Sequence, residues 1–467
     1  MSRDNEELRE TRIYSGWEEP DNRTHFQRDR DRILYTPAFR RLAGVAQVVH
    51  VSTERGYHNR LTHSLKVAQV GRRLAEHLEE NTSETKLDEA GGLDADVVET
   101  ACLAHDLGHP PFGHPAEEAI QEELEVDDSF EGNPQSFRIV NNVAIHKQPY
   151  GPGHQGLDLT LASLNAILKY PWQRRPTGER SEKWGYYSTE EDEFRKVREL
   201  RTPGSGEDCM SLEAKIMDWA DDLTYAIHDV ADFYAAGLIP LDELVRDTSE
   251  RERFISDFED DRGTTPSLWS ATDFLDKFIP QLATVARQSA RDEEVDSEHH
   301  LDTPFKGSSS ERAGLSFMTS EMVERYLGID ANVDVSVDPS IGGGLDIDEW
   351  LECELDLLQY LSKHYVFNNS ALVAQQHGHK KLVQELFGIL LDATAEDSSD
   401  GGMLPTPFDE KVDQLHENNL GYDDIDTKTL RARVVADIIA SMTEQQAMEL
   451  YERVTGHSPG LVTDRII

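Results

Sequence analysis

Between residues 62 and 80 the apolar side chains Leu65, Ala68, Leu74 and Leu78 recur at helical spacing, which predicts an amphipathic helix. The same rhythm predicts helices over residues 94–105, 115–125, 157–170 and 212–237. Pro115 suits a first helical turn, with His114 just ahead of it near the cap. Gly237 suits a C-terminal stop. Later helices are predicted over 347–366, 370–392, 428–441 and 443–455. Period-2 alternation is scarce, and a short hairpin around Gln47 to Tyr57 is the best strand candidate. No internal repeat stands out. Polar residues 79–92, the Glu- and Ser-rich 289–313 and the acidic, Gly- and Pro-containing 395–424 read as loops. The expectation is an all-α protein: a catalytic region over 1–288, a flexible linker over 289–312, and a C-terminal helical region over 313–467 packing on the catalytic part.

Charge changes the picture more than composition does. The 467 residues carry 90 Asp and Glu against 46 Lys and Arg, a formal net charge of −44. The acids are spread along patterned helices, not gathered in a tail, which favours a salt-adapted cytosol over an acidic partner-binding or disordered chain. No basic stripe suits duplex nucleic acid. No apolar run approaches the roughly 18 residues of a membrane span. Met1 to Glu7 lacks a signal-peptide core. The three cysteines, Cys102, Cys209 and Cys353, fit a reducing compartment. Together these lead to the expectation of a cytoplasmic protein.

The segment His105-Asp106-Leu107-Gly108-His109-Pro110-Pro111-Phe112-Gly113-His114 carries the candidate chemistry. Imidazoles and carboxylates are costly to bury unless paired or metal-bound. His63, near the start of its helix, and an acid from Asp221 or Asp222 extend the set. Asp221, Tyr225 and Asp229 share one helix face, whereas Asp222 leads to the apolar Ala226 and Val230. Asp221 is therefore assigned to the metal, with Tyr225 and Asp229 beside the substrate. His63, His105, Asp106 and Asp221 suit one divalent ion such as Mn, Mg, Fe or Zn. His114 and Glu117, three apart across a helix start, form a candidate acid-base pair in which the carboxylate fixes the tautomer of the imidazole and raises its pKa. Arg60, Lys169 beside Tyr170, and Lys183 are candidate phosphate contacts, because lysines interleaved with aromatics are notable in so acidic a chain. There is no Walker-type loop and no GxGxxG.

The ordered set His63, His105-Asp106 and Asp221 resembles the HD-domain metal phosphohydrolases. Residues 28–42 (RDRDRILYTPAFRRL), Arg60-Leu61-Thr62-His63-Ser64, the 105–114 segment, Phe130-Glu131-Gly132-Asn133 and Leu168-Lys169-Tyr170-Pro171 resemble, in that order, the deoxyguanosine triphosphate triphosphohydrolases. The similarity is strong over about residues 25 to 240 and weaker over 345 to 395, where Tyr365-Val366 and Ala374-Gln375-Gln376 carry it.

The resemblance implies an all-α HD fold and cleavage of a deoxynucleoside triphosphate by water at the α-phosphorus, giving deoxynucleoside and triphosphate. It implies metal ligation by His63, His105, Asp106 and Asp221. His114 with Glu117 would serve the reacting end, with His109 nearby. Tyr225 would pack on the deoxyribose and Asp229 would take the 3′-hydroxyl. Arg60, Lys169 and Lys183 would contact phosphate. Where many members carry Gln after the Arg-Leu pair, this chain has Ala43, with Gln47 four residues on, so base preference is left open. Homo-oligomers and nucleotide-responsive activity are further implications. Two other readings fit an HD fold: a phosphodiesterase or nucleic-acid 3′-exonuclease, and a catalytically silent nucleotide sensor.

Overall fold

A computed structural model describes residues 3–14, 22–47, 59–124, 129–145, 156–200, 202–204, 206, 208–262, 304–328, 334–367, 369–417 and 425–458. The described residues are overwhelmingly helical, as the apolar spacing predicts. Helices α1 (Arg3–Glu10), α2 (His25–Leu34) and α3 (Pro37–Arg41) lead to α4 (Arg60–Asn81), α5 (Glu84–Glu89), α6 (Ala95–Ala104), α7 (His114–Glu123), α8 (Gly132–Arg138), α9 (Leu161–Ile167), α10 (Glu191–Val197) and α11 (Leu212–Ala235). There follow α12 (Leu241–Arg246), α13 (Thr248–Arg262), α14 (Ser309–Tyr326), α15 (Glu349–Ser362), α16 (Ser370–Ala393), α17 (Phe408–His416), α18 (Thr427–Ala440) and α19 (Glu444–Val454). The described sheet is a pair of short antiparallel strands, β1 (Val335–Val337) and β2 (Leu345–Ile347). The hairpin expected around 47–57 lies outside the described residues apart from Gln47, but Ala46 and Asn59, which flank it, form an antiparallel bridge.

The chain divides into two compact units. One comprises residues 1–220, 337–345 and 374–467, the other residues 221–336 and 346–373. In the first, α6 is apolar almost all round, with Val97, Val98, Ala101, Cys102 and Leu103 buried, so it takes the centre and packs on α2, α4 and α9. Gly71 of α4 permits the close approach, because a Cβ there would stand 2.6 Å from Cys102 Sγ. A second cluster of the same unit joins Phe112, Ala116, Ala119 and Ile120 to Val383, Leu386 and Phe387 of α16 and to Val435 and Ile439 of α18. Each large apolar side chain buried in this way contributes about 1.5–3 kcal/mol. In the second unit, Phe254 and Phe258 pack on Tyr360, with ring centroids 5.5 and 5.0 Å apart.

Four segments depart from the sequence reading. The helix expected from 157 begins only at Leu161. Asp158 has a positive φ of 48°, and the buried Asp29 carboxylate accepts from both the backbone N–H and the hydroxyl of Thr160, holding that stretch extended. The polar segment 79–92 is not simply a loop: α4 runs on to Asn81 and α5 forms within it. The acidic segment 395–424 contains α17, whose Phe408, Val412 and Leu415 bury one face at helical spacing beneath a polar surface. α14 starts inside the expected 289–312 linker, with Ser308 and Glu311 forming a capping box.

Candidate active site

Asn59 caps α4 by accepting from Thr62 N at 2.9 Å, which sets Arg60 and His63 in the first turns, both buried. α6 ends at Ala104, and His105 occupies its C-cap. The Cys102 carbonyl lies 2.6 Å from His105 Nδ1 and can only accept, so Nδ1 carries the proton and Nε2 is left to act as a ligand. The chain then turns sharply. Gly108 N donates to Ser136 Oγ at 2.9 Å, and a Cβ on Gly108 would stand 2.1 Å from the carbonyl oxygen of Gly132. Phe112 and Gly113 both have positive φ, 71° and 63°, and they swing the chain into α7. A left-handed Phe is costly, and such strain concentrates at functional sites. The Phe112 ring stacks on His379, with centroids 4.2 Å apart.

His63, His105 and Asp221 each offer one ligand atom, and these atoms all lie within 4.8 Å of one another. Asp221 stands on α11, the same unbroken helix that carries Asp218. Two imidazoles and a carboxylate in this convergence fit a divalent ion of borderline hardness. Asp106 does not join the convergence. Its Oδ2 lies 2.8 Å from Arg60 Nη1, and its Oδ1 lies 3.0 Å from His109 Nδ1 and 3.5 Å from His105 Nε2. Burial opposes its ionisation, but Arg60, His105 and His109 outweigh burial and hold its carboxyl well below the usual range.

From Asp106 the polar contacts run on to the helix start. His109 Nε2 lies 3.5 Å from Glu117 Oε1, and Glu117 Oε2 lies 2.9 Å from His114 Nδ1. Burial works against the Glu117 anion, yet His109, His114 and Lys183 keep its carboxyl far below normal, so it stays an acceptor. His114 Nδ1 therefore holds the proton and Nε2 is presented outward, on a side chain that is 70% exposed. Buried Glu117 is the fixed partner and His114 the accessible one.

The candidate phosphate lysines each already face a carboxylate. Lys183 Nζ donates to buried Glu131 at 2.5 Å, and Lys169 Nζ lies 2.9 Å from Asp218 Oδ1, with Lys215 3.0 Å from Oδ2 of the same residue. Burial opposes the Lys183 cation, but Glu131 and Glu117 raise its pKa above the normal value. Tyr170 is half-buried beside Trp172, and burial raises its hydroxyl pKa. Gln47 Oε1 is buried with no hydrogen-bond partner among the described residues. Tyr225 is half-buried and Asp229 buried on α11, where their spacing keeps them on the Asp221 face. Sequence reasoning gave Glu131 and Gly132 no role. Glu131 fixes Lys183, and a Cβ on Gly132 would meet Glu117 Oε1 at 2.7 Å. The signal was the Phe130-Glu131-Gly132-Asn133 run, in which a buried acid precedes a glycine.

The chain is similar to known proteins over most of its length. Residues 60–226 match the HD domain, and residues 345–453 match the phosphohydrolase-associated domain. A deoxyguanosinetriphosphate triphosphohydrolase-like protein of Streptomyces coelicolor is 34% identical over 94% of this chain and 95% of its own. One of Bifidobacterium longum is 30% identical over 92% of this chain and 82% of its own. One of a Caulobacter species is 40% identical over 49% of this chain and 51% of its own.

Proposed function

We propose, from the fact that this chain belongs to the HD-domain family of deoxyguanosinetriphosphate triphosphohydrolase-like proteins, that its phosphohydrolase activity is cleavage of deoxynucleoside triphosphates to deoxynucleoside and inorganic triphosphate. The observation that carries the reading is the run of contacts from Asp106 through His109 and Glu117 to His114, beginning beside the convergence of His63, His105 and Asp221. His63, His105 and Asp221 would hold one divalent ion, Mn, Mg or Fe, with Asp106 turning from Arg60 and His109 to join them. When bound, such an ion supplies Lewis-acid polarisation of a phosphoryl oxygen and a water made more nucleophilic.

The remaining steps belong to the chain. Water adds at the α-phosphorus and the bond to the 5′-oxygen breaks. In its imidazolium form His114, whose Nδ1–H Glu117 holds, gives its Nε2 proton to that departing oxygen, and the attacking water releases one proton as it adds, so the charge balances. Arg60, Lys169 and Lys183 neutralise the triphosphate. Lys169 and Lys183 exchange their contacts with Asp218 and Glu131 for phosphate oxygens. Tyr225 packs against the deoxyribose, where a 2′-hydroxyl would clash, and Asp229 accepts from the 3′-hydroxyl. Gln47, with a buried amide oxygen to satisfy, completes the substrate contacts. The outward His114 with its Glu117 partner argues against a silent sensor, and the net charge of −44 argues against a nucleic-acid exonuclease.

The same charge supports a salt-adapted cytoplasm as the working environment. Among the described residues no helix is long and apolar enough to cross a membrane. Homo-oligomerisation and activation by a second nucleotide are carried over from the family resemblance. Light scattering with and without nucleotide tests both.

The deciding experiment incubates the purified protein with Mn or Mg and each dNTP in high salt and identifies the products. Triphosphate plus deoxynucleoside is expected. Pyrophosphate or monophosphate, or equal use of ribonucleotides, overturns the reading.

A further inference from the structure

Arg41 is the last residue of α3 and is only 7% exposed. Its guanidinium makes no hydrogen bond to a carboxylate among the described residues. Nη2 donates to the carbonyls of Leu107 at 2.8 Å and His109 at 2.9 Å, and Nη1 donates to the carbonyl of Met442 at 3.0 Å. Nε is buried with no partner among the described residues. Burial, and then the neighbouring Arg60, lower its pKa to about 9, and Asp106 offsets them only in part, so it is a charged group held at a cost. A cation kept there against that cost fastens something.

What it fastens is specific. Leu107 and His109 bracket Gly108 in the turn that follows His105 and Asp106. Met442 ends the turn after α18, inside the segment that matches the phosphohydrolase-associated domain. The residues after Arg41 tie the same parts together. Ala46 N donates to Glu444 Oε1 at 2.9 Å, and a Cβ on Gly44 would stand 2.7 Å from Thr443 Cγ2. On the other side, Arg60 N donates to the Val45 carbonyl at 3.0 Å, and Ala46 bridges to Asn59, the cap of the helix that carries His63. Residues 41–46 belong to neither matched domain, yet they touch the start of α4, the loop after α6 and the turn between α18 and α19.

We infer that Arg41 and the segment to Ala46 form a joint through which the phosphohydrolase-associated helices hold the metal-ligand loop in place, with Arg41 as a positioning residue. The inference rests on the reading of His63, His105 and Asp221 as a metal site. Arginine is required because its planar fork reaches carbonyls in separate directions, which a lysine ammonium on one stem does not reproduce. Removing it leaves the Leu107 and His109 carbonyls without their donor and frees the turn that sets His105 and Asp106.

The test uses the full-length protein in high salt. Manganese affinity is followed by electron paramagnetic resonance, and backbone exchange over residues 105–110 by mass spectrometry. Arg41→Ala, with native circular dichroism, is expected to weaken manganese binding by about tenfold or more and to speed exchange in the loop. Arg41→Lys should recover part of both losses, as should methylguanidine added to Arg41→Ala. Arg40→Ala, at an exposed neighbour, should match wild type. Wild-type affinity and exchange in folded Arg41→Ala overturn the inference. If Arg41→Ala does not fold, Gly44→Ala, which displaces Thr443 without deleting a hydrogen bond, must show the same loosening, and its failure to do so is equally decisive. A wild type that binds no manganese sinks the metal reading, and the exchange comparison then decides the joint by itself.

Discussion

His105 and His114 stand at the two ends of one loop and are placed in opposite ways. His105 is buried, its Nδ1 tied to a backbone carbonyl, and it offers a ligand atom within 4.8 Å of those of His63 and Asp221. His114 is exposed, its Nδ1 tied to a carboxylate that stays ionised, its Nε2 outward. A neutral carbonyl fixes a tautomer without favouring the imidazolium, which suits a ligand. An ionised carboxylate fixes the same tautomer on a ring that stays accessible, which suits a group that meets the substrate. The left-handed residues Phe112 and Gly113 separate the two environments within a few residues.

The largest effect that would break this comparison is expected from His105→Ala. It should abolish tight metal binding and reduce turnover to background, as metal analysis of the purified variant and a product assay would show. His114→Ala should retain the metal and lose turnover by about 10²–10⁴-fold. Retained turnover in that variant removes His114 from proton transfer. Glu117→Gln keeps an oxygen for Nδ1 but removes the charge, so a smaller loss of kcat is expected, about 10–100-fold, with KM little changed. A steady-state comparison with wild type checks this.

The finest effect lies away from the loop, at Lys411, which donates to Asn142 Oδ1 at 3.0 Å. Burial lowers its pKa from 10.5 to about 8. Between those values the unfolded chain binds more protons than the folded one, so this group makes the protein more stable as pH rises. The melting temperature of Lys411→Met relative to wild type should therefore be most favourable near pH 7 and decline toward pH 10. A difference that is flat with pH would show that Lys411 is not held charged against burial.

Much of this arrangement was legible in the order of residues, because helical periodicity reports burial directly. The 3.6-residue spacing separated Asp221 from Asp222, and Asp221 is the acid that meets His63 and His105. Gly108 with the two prolines marked the end of the α6 helix. What stayed hidden depended on contacts distant in sequence. Arg41 looks like any basic residue until Leu107, His109 and Met442 surround it. The helix expected from 157 starts only after Thr160 because Asp29 takes the N–H and hydroxyl of that residue. α17 was masked by its acids, although Phe408, Val412 and Leu415 hold the spacing. The turn of Asp106 toward Arg60 and His109 is a matter of rotamer, which no spacing rule fixes.

The fit of Gly108 against the start of α8 has a mechanical consequence. Its amide is held by Ser136 Oγ, the same hydroxyl donates to the His105 carbonyl at 2.7 Å, and no clearance exists for even a methyl group against Gly132. The loop and α8 therefore translate as one solid. A spectroscopic probe at the Arg138 end of α8 should therefore register a displacement of His105.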